Sequence, residues 1–139
     1  MPIYQTDEIY LREAIESVLQ QTYSDFEFLI VNDSPHDASR LQQIVASYND
    51  ERIIWIACQI NNGIAIASNI GIDHAQGSFI AMMDHDDMCM PTRFEQQVKF
   101  LKANPEIGFV GGQAEAFYPD QSSVRLNYAI SLSNDELQQ

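Results

Sequence analysis

The segment 78–93, SFIAMMDHDDMCMPTR, is an apolar run that stops at Asp84, Asp86 and Asp87, with a proline close behind. Carboxylate oxygens are hard ligands suited to Mg²⁺ or Mn²⁺, and sites for such ions commonly use one or two carboxylates together with the phosphates of a substrate. The chemistry this spacing suggests is the handling of a diphosphate. In an extended Asp-x-Asp, residues two apart share one face, so Asp84 and Asp86 would point together while His85 points off it. A solvated acidic loop is the plain alternative, because acidic triplets arise easily in a chain with 20 Asp and Glu against 7 Lys and Arg.

These acids need elements to position them. Leu11, Ala14, Ile15, Val18 and Leu19 recur at three and four within 7–21, which predicts an amphipathic helix. Residues 26–31 (FEFLIV) read as a buried strand that ends in the turn Asn32-Asp33-Ser34-Pro35. A helix over Leu41, Ile44, Val45 and Tyr48, a strand at 53–58 and a turn at Asn61-Asn62-Gly63 follow. A third helix at 64–75 ends near Gly77 and leads into the acid-bearing strand; Pro91 opens a fourth helix with Phe94, Val98 and Leu101 on its apolar face. Residues 107–110 read as one more strand, 118–123 as a turn, 124–130 as a strand, and 133–136 as a helix start with little chain after it.

Alternation of this kind predicts an α/β fold, a mostly parallel sheet with helices on both faces and right-handed crossovers. Ligands of such sheets lie beyond the carboxyl ends of the strands. Asn32-Asp33 and the acids at 84–87 both fall there, so two independent acidic features meet on one rim.

The length of 139 residues suits a single domain with a sizeable core. A formal charge of −13 argues against nucleic acid or an anionic membrane as partner. Cys58 and Cys89 lie far apart with no metal-ligand spacing, which points to free thiols in a cytoplasmic protein. No apolar run reaches the roughly 18 residues that a membrane span needs.

With these residues in hand, the sequence resembles the family 2 glycosyltransferases of the Rossmann-like glycosyltransferase A fold. The likeness runs from MPIY at 1–4 through YLREAIESVLQQTYSDFEFLIVND at 10–33 and the Asn62-Gly63 turn to MDHDD at 83–87 and P-x-R at 91–93. The resemblance implies a metal-dependent transfer of sugar from a nucleoside-diphosphate donor, UDP-linked, to a hydroxyl of a glycan or lipid-linked acceptor. Residues 1–139 would then be one nucleotide-sugar-binding domain. Pro2 and Tyr4 would line the nucleotide site, Tyr4 stacking on the base, and Asp33 would accept from a base ring nitrogen. Asn62 and Gly63 would shape the loop near the donor. Asp84 would lie near the ribose or sugar, and Asp86 would be the principal ligand of Mg²⁺ or Mn²⁺ beside Asp84, with Asp87 in support. Arg93 reads as a helix residue pairing with these carboxylates, and His36, His74 and His85 as structural or solvent-facing. No general base is assigned: Glu115 and Asp120 sit in no recognisable motif, and the base is expected outside this chain.

The sequence also departs from the family pattern. Two acids usually follow the second strand where Asn32-Asp33 stand, and Asn usually follows Tyr4 where this chain has Gln5. The first family strand precedes Met1 and lies inside the sheet, so the chain is expected to be incomplete at both ends, with Met1 an internal methionine of a longer transferase. A donor-binding fragment or partner subunit without turnover is the main alternative function. An aspartate-nucleophile phosphoryl-transfer enzyme would want a nearby Ser or Thr and a lysine partner where Asp87-Met88 follow the second Asp, and a receiver-like signalling domain would want a later Lys, whereas Lys99 and Lys102 fall in the predicted helix.

Overall fold

The computed structural model describes residues 1–117 and 123–126. They divide into two compact units, one of residues 1–103 and one that begins at Asn104. The first is built on a parallel sheet of β1 (Pro2–Ile3), β2 (Phe28–Asn32) and β3 (Ile53–Ala57), in the order β1-β2-β3. Its register pairs Pro2 with Val31, Ile3 with Asn32, and Phe28 to Asn32 with Ile53 to Ala57. Helices α1 (Glu8–Leu19), α2 (Ala38–Ala46) and α3 (Ile64–His74) connect these strands or follow them, and α4 (Arg93–Ala103) closes the unit. A 3₁₀ turn at Pro35–Asp37 leads into α2.

Side-chain alternation along β2 decides which helix lies on which face. Phe28 and Ile30 join Leu11, Ala14, Ile15 and Val18 of α1 and Leu41, Ile44 and Val45 of α2 in one buried cluster. The opposite face carries Val31, buried against α3: a Cβ added at Gly71 would lie 3.3 Å from Val31 Cγ2. Helices therefore cover both faces, as the α/β pattern predicts. Each fully buried Leu, Ile or Val of this core contributes about 1.5–3 kcal/mol, so the periodic apolar stripe rather than helix propensity holds α1 in place. Phe26 and Phe94 add an edge-to-face pair at 5.5 Å between ring centres, and the Arg52 guanidinium lies 4.7 Å from the Phe26 ring centre.

Two predicted strands are not formed. The run at 79–83 carries no ladder, and Phe79, Ile80 and Met82 are exposed while only Met83 enters the core. A strand exists by pairing, and no described segment pairs with this run. Residues 107–110 likewise carry no ladder. The second unit holds an antiparallel hairpin of β4 (Ala114–Phe117) and β5 (Ser123–Leu126), with Glu115 opposite Arg125. β5 covers the start of the strand read at 124–130; the rest of that strand, most of the turn at 118–123 with Asp120, and the helix start at 133–136 lie outside the described residues. No helix among the described residues is long and apolar enough to cross a membrane.

Candidate functional site

The carboxyl ends of β1 and β2 open into a cleft of about 450 Å³ within the first unit. Pro2, Ile3, Tyr4, Asp33, Asn61, Gly63, Ile64, Ala67, Asp84, His85 and Asp86 line it. Of the seven residues the sequence nominates for donor binding, Pro2, Tyr4, Asp33, Gly63, Asp84 and Asp86 are brought together here. Asn62 is the exception: it does not line the cleft and instead donates to the Asp33 carboxylate.

Asp33 follows the last residue of β2 and is only 2% exposed. Its amide donates to the Ile3 carbonyl at 2.9 Å, which locks it beside β1. Its carboxylate gathers the 61–63 turn: Oδ2 accepts from Gly63 N at 2.8 Å, Asn62 N at 3.0 Å and Asn61 Nδ2 at 3.0 Å, while Oδ1 accepts from Asn62 N at 2.9 Å and Asn62 Nδ2 at 3.1 Å. A carboxylate has about four lone-pair sites, so one side chain organises the whole turn. Gly63 holds φ at +81°, a region that side-chain-bearing residues avoid, and its carbonyl accepts the first bond of α3 from Ala67. The first-turn amides of α3 have no carbonyl of their own helix to bind, and Ile64 and Ala67 of this helix line the cleft. Next to this turn, burial first and the charge of Asp33 second push the Cys58 thiol pKa up.

Asn32 stands where the family usually has an acid. It is fully buried, and its side chain closes on Ser34, accepting from Ser34 N at 3.0 Å and donating to Ser34 O at 3.2 Å. It shapes the turn and does not line the cleft.

Tyr4 presents a half-exposed ring to the cleft, and the chain turns away at Gln5, whose φ is +47°. The Ser34 hydroxyl accepts from the Gln5 amide at 2.7 Å and holds this bend. Asn tolerates the left-handed region better than Gln because its short side chain bonds to the local backbone. Gln5→Asn is therefore expected to stabilise the protein by about 0.5–1 kcal/mol, read as a raised urea midpoint at unchanged slope; an unchanged or lowered midpoint would show that the bend stores no strain.

The acids sit on a loop between two buried anchors, Met83 before them and Cys89 after. Asp84 and Asp86 are exposed and line the cleft, and within the described residues neither is engaged by a hydrogen bond or an ion pair. Asp87 is exposed and does not line it. Partial desolvation first, then the charges of Asp84 and Asp86, raise the Asp87 carboxyl pKa, against a smaller opposing pull from Arg93 and His85. Arg93 forms no ion pair with these acids, contrary to its sequence reading: it donates to the Met82 carbonyl at 2.8 Å and so ties α4 to the start of the loop. A backbone carbonyl within reach of the first turn of α4 captures the guanidinium first.

His85 was not expected in the cleft wall. It lines the cleft with a buried Nδ1 that has no hydrogen-bond partner among the described residues. Ile64 and Ala67 line it three residues apart on one face of α3, a spacing that was legible but had no partner to point at. No group of three or more His, Cys, Asp or Glu among the described residues is arranged to hold a metal ion. Two unengaged carboxylates in one cleft nonetheless fit Mg²⁺ or Mn²⁺, which take one or two carboxylates and complete their shell with phosphate and water.

The comparisons with known proteins agree with one another. A sequence model described as glycosyl transferase family 2 matches residues 1–135. The chain is 38% identical over 109 residues to an uncharacterized glycosyltransferase of Methanocaldococcus jannaschii, a match covering 77% of this chain and 37% of the other. It is 30% identical over 129 residues to an amylovoran biosynthesis glycosyltransferase of Erwinia amylovora, covering 93% of this chain and 48% of the other. Among solved structures, residues 1–349 of S. aureus TarS align with a TM-score of 0.66 at 23% identity, over 75% of this chain and 31% of that one. The chain thus spans less than half the length of these relatives.

Proposed function

Because the chain belongs to glycosyl transferase family 2, we propose that its cleft binds a nucleoside-diphosphate sugar, UDP-linked, as the donor side of a transferase that glycosylates a hydroxyl during polysaccharide or cell-surface glycan synthesis. The acceptor class is supported by the Erwinia amylovora relative, whose name assigns it to amylovoran biosynthesis. The observation that carries the proposal is a single cleft that joins an open aromatic ring, a buried carboxylate and two unengaged ones, at Tyr4, Asp33, Asp84 and Asp86.

Each residue has a task in this reading. Tyr4 offers its ring face to the base. Asp33 accepts a ring N–H of the base in exchange for one of the bonds its carboxylate gives the 61–63 turn, so base and turn share one anchor. Asn62 and Gly63 set that turn beside the donor, and Pro2 walls the nucleotide from β1. Asp86, with Asp84 beside it, would hold Mg²⁺ or Mn²⁺, and Asp84 also borders the ribose or sugar. The ion would supply Lewis-acid stabilisation of a diphosphate leaving group. No residue of this chain is assigned as the base for the acceptor proton: Glu115, the described candidate, sits on β4, where its carboxylate accepts from the Ser123 hydroxyl.

Isothermal titration of the 139-residue chain with UDP, with and without Mn²⁺, tests this, with circular dichroism to establish the fold. Saturable binding that Mn²⁺ strengthens is expected; a folded chain that binds no UDP would overturn the donor-site reading. Tyr4→Ala is expected to weaken UDP by roughly 1–3 kcal/mol, the range for one base on an aromatic ring. An unchanged dissociation constant would remove Tyr4 from the site.

A further inference from the structure

The loop that carries Asp84 and Asp86 lacks the strand ladder that would ordinarily fix it, so its backbone must be held by other groups. At its exit the holder is Gln21, just beyond α1. Gln21 is only 6% exposed, and its amide is spent entirely on this junction. Nε2 donates to the Met90 carbonyl at 2.8 Å, to the Ser17 carbonyl at 3.1 Å and to Cys89 Sγ at 3.2 Å, while Oε1 accepts from Phe94 N at 2.9 Å in the first turn of α4. The Ser17 hydroxyl accepts from Cys89 N at 3.1 Å, and Thr22 N donates to the Pro91 carbonyl at 2.8 Å, so the end of α1 supplies the missing ladder. Only a side chain that both donates and accepts joins a carbonyl of the loop to an amide of α4, and Gln at this reach does both.

We propose that Gln21 is a positioning residue for the metal-binding carboxylates: by fixing Cys89, Met90 and Phe94 to α1, it sets where Asp84 and Asp86 stand in the cleft. This rests on the donor-site reading above. Holding charged groups in a working geometry is sensitive to displacements of an ångström, whereas the Gln21 amide makes no hydrogen bond to β2.

The test compares wild type with Gln21→Met, which keeps length and loses all polar contacts, and Gln21→Glu, which keeps an acceptor for Phe94 N and loses the donors. Hydrogen exchange is followed by peptide, and UDP is titrated with and without Mn²⁺. Both variants should exchange faster at 84–94 while 28–32 stays protected. Mn²⁺-dependent UDP affinity should fall about tenfold, as expected for losing a buried hydrogen-bond partner, and metal-free UDP affinity should change little. Unaltered exchange at 84–94, an equal affinity loss with and without Mn²⁺, or equal deprotection of 28–32 in both variants would each overturn the positioning role. A wild-type chain whose UDP binding ignores Mn²⁺ would overturn the metal assignment instead, and the exchange pattern would still decide whether Gln21 sets the loop.

Discussion

Asp86→Ala is expected to abolish Mn²⁺-dependent UDP binding, an affinity loss of about a hundredfold or more, while leaving thermal unfolding unchanged. Partners that merely orient a metal ligand already cost 10- to 100-fold when removed, and a ligand itself should cost at least as much. The fold should not register the change, because the Asp86 side chain is exposed and has no hydrogen bond or ion pair among the described residues. Its charge is one of those that raise the neighbouring Asp87 carboxyl pKa, so its removal relieves repulsion within the loop. Titration calorimetry with and without Mn²⁺, beside a circular-dichroism melt, separates the two effects. Equal binding by wild type and variant would show the metal assignment to be wrong.

Asp33→Ala is expected to damage the fold and the cleft together. The carboxylate accepts from Asn61 Nδ2, Asn62 N, Asn62 Nδ2 and Gly63 N, and it is almost completely buried. Removing it leaves these donors facing an apolar methyl group, with a cost of about 3–5 kcal/mol by analogy with other buried charged groups deprived of a partner. Against a total stability of about 5–15 kcal/mol that is a large fraction. Asp33→Asn should recover only part of the loss, because one amide oxygen replaces two carboxylate oxygens and the new NH₂ faces N–H donors. Urea unfolding measures both, and a midpoint shift below about 0.5 kcal/mol for Asp33→Ala would show that the 61–63 turn stands without its clamp.

Much of this was legible from local pattern. The apolar spacing of α1 and α2, the buried run of β2 and the turn residues at 32–35 and 61–63 point to elements that form at those places. Their signals are short-range: a 3.6-residue stripe or a Gly at positive φ reports its own segment. The run at 79–83 shows the limit of such reading. Its composition suits a strand, yet strandness belongs to a pair, and no described segment supplies the other half. Arg93 failed for a related reason, since charge predicts attraction to the acids but not which acceptor lies nearest; the Met82 carbonyl does.

The sequence by itself determined the fold class, which is written in periodicity and turn chemistry, and its resemblance to glycosyl transferase family 2 is one that the family model over residues 1–135 bears out. Only the tertiary structure decided that Asp33 is the clamp of a loop 28 residues away, that Gln21 ties α1 to a segment 68 residues away, and that Asp84 and Asp86 stand in one cleft with Tyr4. The physical reason is that hydrogen bonds and burial join groups by distance in space, and no local pattern along the chain records which distant donor will meet which acceptor once the core has closed.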